Sequence, residues 1–170
     1  MTDITPPQPA EFGGIVSNTF GEHYLFDINR NLFQGTDACT VFRNHFDESL
    51  FKEDTFYIVA GTDSGLLCQY IKKQGIPKGS RYLFVELPEV LALLNNMDDP
   101  SGKLIVTTGD KWLERAKEMD LVNYALLGQL VQYRSLGVIH GHYGGYHPFW
   151  ATLKEQYDTF VWDLGNRTNY

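Results

Sequence analysis

Three groups of residues in this chain are of types that could do chemistry. Gly61-Thr62-Asp63-Ser64-Gly65 follows an apolar run, Phe56 to Ala60. Glu86 closes a second apolar run, Tyr82 to Val85, and stands 25 residues after Gly61. His140-Gly141-His142-Tyr143-Gly144-Gly145-Tyr146-His147 gathers three histidines within eight residues. A glycine turn that opens a helix offers free N–H groups and a partial positive charge, which suits an anionic ligand group. A carboxylate at the tip of the next strand can accept the hydroxyl protons of a ribose. Turn and carboxylate together outline a nucleotide-type βαβ site.

The turn departs from the phosphate-binding spacings. It reads G-x-x-x-G, where the dinucleotide fingerprint is G-x-G-x-x-G and the P-loop G-x-x-x-x-G-K-[ST]. Asp63 adds a negative charge where a phosphate would lie, so a phosphate cradle is disfavoured. S-adenosylmethionine, which carries an amine beside its carboxylate, tolerates Asp63 better. The other reading is that Asp63 or Ser64 only caps the helix. Glu86 either holds a ribose or only bonds backbone or a neighbouring loop. The histidine run lacks an acidic partner nearby in sequence, and its glycine-rich backbone is a poor metal frame, so no metal is expected there. It reads either as donors on a binding rim or as a solvent loop. The candidate ligand-binding residues are thus Gly61, Thr62, Asp63, Ser64, Gly65, Glu86, Asp110, His140 and His142. No Ser/His/Asp or Cys/His signature assigns a catalytic residue, and Asp27, Arg30 and Glu114 have no assigned role.

The elements that must position these groups follow from periodicity. Phe56 to Ala60 and Tyr82 to Glu86 are continuous apolar runs, the pattern of parallel strands covered on both faces. A helix is predicted from about Gly65 to Gln74, with Leu67, Tyr70 and Ile71 on its buried side and Gly75 ending it. Pro88 opens a helix through Leu94. Residues 103–108 form a third strand, and Asp110 caps a helix carrying Trp112, Leu113 and Ala116. A helix from Leu121 to about Tyr133 and a weaker fourth strand over 136–140 follow. His147-Pro148 opens a last helix that buries Phe149, Leu153, Tyr157 and Phe160 at helical spacing.

Ahead of this, residues 1–18, rich in proline and glycine, read as a flexible arm. Residues 19–54 read as a small preface packed on the sheet, anchored by Phe20, Phe26, Phe33, Phe42, Phe46 and Phe51. In it, 23–27 is a short strand, 29–31 a turn, and 37–42 a strand or the start of a helix. Residues 55–170 form the main domain. Strands alternating with helices give an α/β fold of Rossmann-like, methyltransferase-like type: a mostly parallel sheet with helices on both faces. Its ligands bind at the carboxyl ends of the strands. Four loops converge there: 61–65, 86–88, 108–110 and 140–147.

Composition narrows the classes. The chain has 170 residues, 43% of them hydrophobic, enough for one domain with its own core. A net charge of −7 gives no electrostatic footprint for nucleic acid. No apolar run approaches the ~20 residues of a membrane span, and the N-terminus lacks a signal-peptide pattern. Cys39 and Cys68 match no metal spacing and read as free thiols. The expectation is a soluble, cytoplasmic protein.

The stretch Phe56 to Leu67, followed by Tyr82-Leu83-Phe84-Val85-Glu86-Leu87-Pro88-Glu89, resembles the N-terminal Rossmann-like domain of motility accessory factors. These are bacterial proteins associated with flagellin glycosylation by nonulosonic acids. The resemblance covers roughly residues 40–110. The family's turn is richer in glycine than Gly61 to Gly65, and its transfer chemistry sits in a following domain that this chain is too short to contain. The resemblance therefore implies an accessory or recognition domain of a glycosyltransferase-like protein, expected to bind a nucleotide-like ligand or the flagellin acceptor. It carries no catalytic residue onto this chain. The alternative is an S-adenosylmethionine-dependent methyltransferase.

Overall fold

A computed structural model describes residues 13–168, with side chains through residue 166. Two short strands, β1 (Ile15–Ser17) and β2 (His23–Leu25), pair antiparallel. They lead into α1 (Phe26–Asn29), α2 (Ala38–Phe46) and a 3₁₀ turn over Asp47–Leu50. The main domain follows as β3 (Phe56–Ala60), α3 (Leu66–Gln74), β4 (Arg81–Glu86), α4 (Pro88–Leu91), β5 (Leu104–Thr108), α5 (Trp112–Glu118), α6 (Leu121–Leu126), β6 (Leu130–Arg134), α7 (Leu136–His140) and α8 (Tyr146–Thr168).

β3 to β6 form one all-parallel sheet in the order β5-β4-β3-β6, flanked by helices. The fold is α/β and Rossmann-like. The chain winds outward from β3 through β4 to β5, then returns to the far side of β3, so strand order reverses between β3 and β6. Phe56 pairs with Arg81 on one side and Leu130 on the other, and β5 continues the register with Leu104 beside Tyr82.

Every residue of β3 is buried because the sheet is covered twice. Tyr57, Val59, Tyr82 and Phe84 join one core with α2 and α3. Phe56, Ile58, Leu83 and Val85 join the other, with Trp112, Tyr146 and Leu153 from α5 and α8. The alternation follows the strand period of two. The preface contributes Phe33, Phe42 and Phe46 to the first core, with Phe51 half-buried against it, and Leu25 and Ile28 to the second. Phe26 is half-buried, and Phe20, expected as an anchor, is 51% exposed.

Several elements differ from the sequence pattern. Ile15–Ser17 is a strand within the stretch read as an arm, and residues 1–12 lie outside the described part. The expected strand over 23–27 stops at Leu25, where α1 begins. Residues 38–46 settle as helix, because Asp37 caps them by accepting from Thr40 N–H at 3.2 Å and Thr40 Oγ1–H at 2.7 Å. α4 is shorter than expected, and Leu93 is 39% exposed.

The largest correction concerns the fourth strand. Residues 121–133 do not form one helix: α6 stops at Leu126, Gly128 turns the chain at φ +69°, and 130–134 is the strand. Residues 136–140, expected as strand, are the helix α7. Ser135 caps it, its Oγ accepting from Val138 N–H at 3.3 Å. An apolar run this short fits either state, and the adjoining glycine and serine decide it.

Candidate functional site

The turn after β3 carries unusual backbone. Gly61, Asp63, Ser64 and Gly65 all have positive φ, at 87°, 49°, 60° and 84°. Asp63 and Ser64 hold a left-handed conformation that side chains disfavour, so surrounding contacts must hold it. Those contacts come from other parts of the chain. The Asp63 carboxylate is fully buried. It accepts from Leu136 N–H at 3.0 Å, Gly137 N–H at 2.7 Å and Asn29 Nδ2–H at 3.0 Å. Ser64 donates to Asn29 Oδ1 at 2.6 Å and accepts from Leu25 N–H at 2.9 Å.

Neither residue therefore caps its own helix. α3 starts at Gly65 without a side-chain cap bond from either residue. Asp63 instead caps α7, 73 residues downstream, and Ser64 ties the turn to the preface. Burial raises the Asp63 pKa, against the pull of its three donors and of the nearby His140.

Glu86 is also fully buried. Thr62 donates to its Oε2 from both N–H and Oγ1–H at 2.8 Å. Leu87 N–H at 2.9 Å and the Tyr146 hydroxyl at 2.8 Å donate to Oε1. These four donors fill the carboxylate with partners from the chain itself. Burial raises its pKa from 4.5 to about 7, and the four hydrogen bonds act in the opposite direction. The Tyr146 hydroxyl is pushed well up, first by burial and then by the Glu86 charge.

The glycines serve this closure. A Cβ on Gly61 would lie 2.2 Å from Ser135 Oγ and 2.7 Å from Val138 Cγ2. One on Gly137 would lie 2.6 Å from Ile28 Cγ2 and 3.2 Å from Asp63 Oδ1. The close backbone approach is that of α7 and α1 onto the turn, at the point between β3 and β6 where a ligand of such a sheet would sit.

The structure thus brings Gly61, Thr62, Asp63, Ser64, Gly65 and Glu86 into one buried polar network. Asp110 lies apart on the next loop, accepting from the Thr108 hydroxyl, which holds its carboxyl below the usual range. The expected cap of α5 by Asp110 is not made: the cap position is Lys111, without a side-chain bond. The fourth rim loop begins at Ser135 rather than after His140, since β6 ends at Arg134.

His140 and His142 are exposed, with ring centroids 5.9 Å apart. With Phe26, Asn29, Arg30 and Leu32 they line a cleft of about 490 Å³ above the network. Among the described residues no group of three or more His, Cys, Asp or Glu is placed to hold a metal ion, and no helix is long and apolar enough to cross a membrane. The sequence pattern did not single out Asn29, Ser135, Gly137 or Tyr146. The one available signal was the placing of Tyr146 within the histidine-rich run. Comparison of the chain with protein-family models, curated proteins and solved structures gave no match.

Proposed function

We propose that this is an accessory recognition domain of a motility-associated, glycosyltransferase-like protein, and that it acts by contacting the flagellin acceptor. The observation that carries the reading is the closure of the turn. Glu86, the carboxylate a ribose-bearing ligand would use, is fully buried and takes four donors from the chain, and Asp63 beside it is fully buried and takes three. A ribose at Glu86 would have to break four hydrogen bonds and displace Tyr146, each bond to a charged acceptor being worth about 1.5–3 kcal/mol. The methyltransferase alternative needs the same opening. Protein contact needs none of it, and Trp162 and Leu127 leave large apolar side chains 67% and 72% exposed.

Titration calorimetry and thermal shift test the reading. S-adenosylhomocysteine, a nucleotide sugar and NAD are expected to show no binding that depends on Glu86, and purified flagellin monomer to bind saturably. Binding of any of the three small ligands that is lost in Glu86→Ala would overturn it.

A further inference from the structure

The cleft above the closed turn differs chemically from the network beneath it. Its walls are the end of α1 with the turn that follows, and the loop that leaves α7. Arg30 ends α1 with φ +51°, a conformation unfavourable for any side chain but glycine. Its guanidinium lies 5.4 Å from the centroid of the Phe26 ring, within cation–π range. Its Nε is buried without a hydrogen-bond partner, and among the described residues no carboxylate lies within ion-pair distance of it. A buried donor left without a partner is unfavourable, so the guanidinium retains hydrogen-bonding capacity for a ligand.

Two exposed imidazoles, His140 and His142, line the same cleft. Of the carboxylates on the adjoining segments, Asp63 accepts from three donors and Asp27 from Gly13 N–H, and neither pairs with Arg30. The place in the fold is the strand-order reversal between β3 and β6, where ligands of open α/β sheets collect.

We propose that this cleft binds a compact oxyanion, a carboxylate or phosphoryl group of a small molecule, with Arg30 as its anchor and His140 and His142 as flanking donors. The Arg30 guanidinium lines the cleft without a carboxylate partner and offers N–H donors to the oxygens of such a group. Phe26 and Leu32 supply apolar wall for the rest of the ligand. The proposal does not depend on contact with flagellin, so either can fail alone.

The test is an NMR titration of the histidine ring signals, five in the chain. Inorganic phosphate and sodium acetate are the probes, added separately at fixed pH and at ionic strength held with chloride. The His140 and His142 signals are expected to shift and saturate, while His45, on α2, stays still. A tighter response to phosphate assigns a phosphoryl group, and a tighter one to acetate assigns a carboxylate. Arg30→Gln is expected to weaken the response about tenfold or more. Arg30→Gly removes the guanidinium while relieving the positive φ, so it keeps the fold even if Arg30→Gln does not. Absence of saturation with both anions would overturn the proposal, as would unchanged affinity in Arg30→Gly.

Discussion

The turn at Asp63 and Glu86 and the cleft at Arg30 lie together at the carboxyl end of one sheet, yet they treat polar groups in opposite ways. In the turn, both carboxylates are buried and matched donor for acceptor by Asn29, Thr62, Leu87, Leu136, Gly137 and Tyr146. In the cleft, a guanidinium nitrogen is buried without a partner and two imidazoles face outward. A saturated carboxylate has no acceptor capacity to give a ligand, however well its position matches a binding motif. An unsatisfied N–H, by contrast, still has a hydrogen bond to donate. Asp63 and Glu86 therefore belong to the cement between preface, sheet and α7–α8, and the unspent polarity of this rim lies one layer higher.

The comparison breaks most directly at Asp63. Asp63→Ala would leave three buried donors unmatched and uncap α7, so a loss of about 4 kcal/mol is expected in urea unfolding. A loss under about 1 kcal/mol would show that the network is not structural.

The next effect is one of pH. Glu86 titrates at about 7 when folded and near 4.5 otherwise, so between those values the folded chain holds the extra proton. Its contribution to stability is full below pH 4.5 and is lost as pH rises through about 7, some 3 kcal/mol in all. Asp63, also raised, acts with the same sign. Denaturation midpoints should fall across this window in the wild type and fall less in Glu86→Gln.

Gly137→Ala drives a methyl against Ile28 and the Asp63 carboxylate, and about 2 kcal/mol of destabilisation is expected by thermal or urea unfolding. Arg30→Gly should sharpen the contrast from the other side. Relief of the positive φ offsets the lost contact with Phe26, and stability should stay within about 1 kcal/mol of wild type. The smallest effect on folding is expected at exposed Trp162. Trp162→Ala should leave the unfolding midpoint unchanged while weakening capture of flagellin, measured by calorimetry.

The α/β class was legible because a strand buried on both faces must be apolar throughout. Phe56 to Ala60 and Tyr82 to Val85 satisfy that pattern, and the glycine-bounded helical segment between them supports reading both as strands. Helix α3 was legible for the same kind of reason, with Gly75 ending it at φ +96°. The fourth strand was misplaced because Leu130–Arg134, interrupted by Gln132 and ending on Arg134, shows a weaker strand pattern than the short apolar run that starts at Leu136. Pairing with β3 makes 130–134 the strand, and the Ser135 cap makes 136–140 the helix. Ser135 could have signalled the α7 cap, but a serine between two apolar runs is equally a loop residue.

The candidate residues 61–65 and Glu86 were grouped correctly as neighbours, since a strand–turn–helix–strand unit fixes their proximity. Their occupancy was not legible, because the partners come from positions 29, 135–137 and 146. No local pattern joins those positions to the turn.

The sequence by itself determined the two central strands buried on both faces and the helix between them, and hence the α/β class and the rim where polar loops gather. Those are consequences of hydrophobic periodicity and of local turn chemistry, which act over a few residues. Tertiary structure alone decided whether the rim's carboxylates are open or spent. That depends on α1, α7 and the start of α8 reaching the turn from 34 to 74 residues away in the chain for Asp63 and 60 for Glu86. The free energy of a buried polar group is set by the partners within hydrogen-bond reach, and sequence separation carries no information about them.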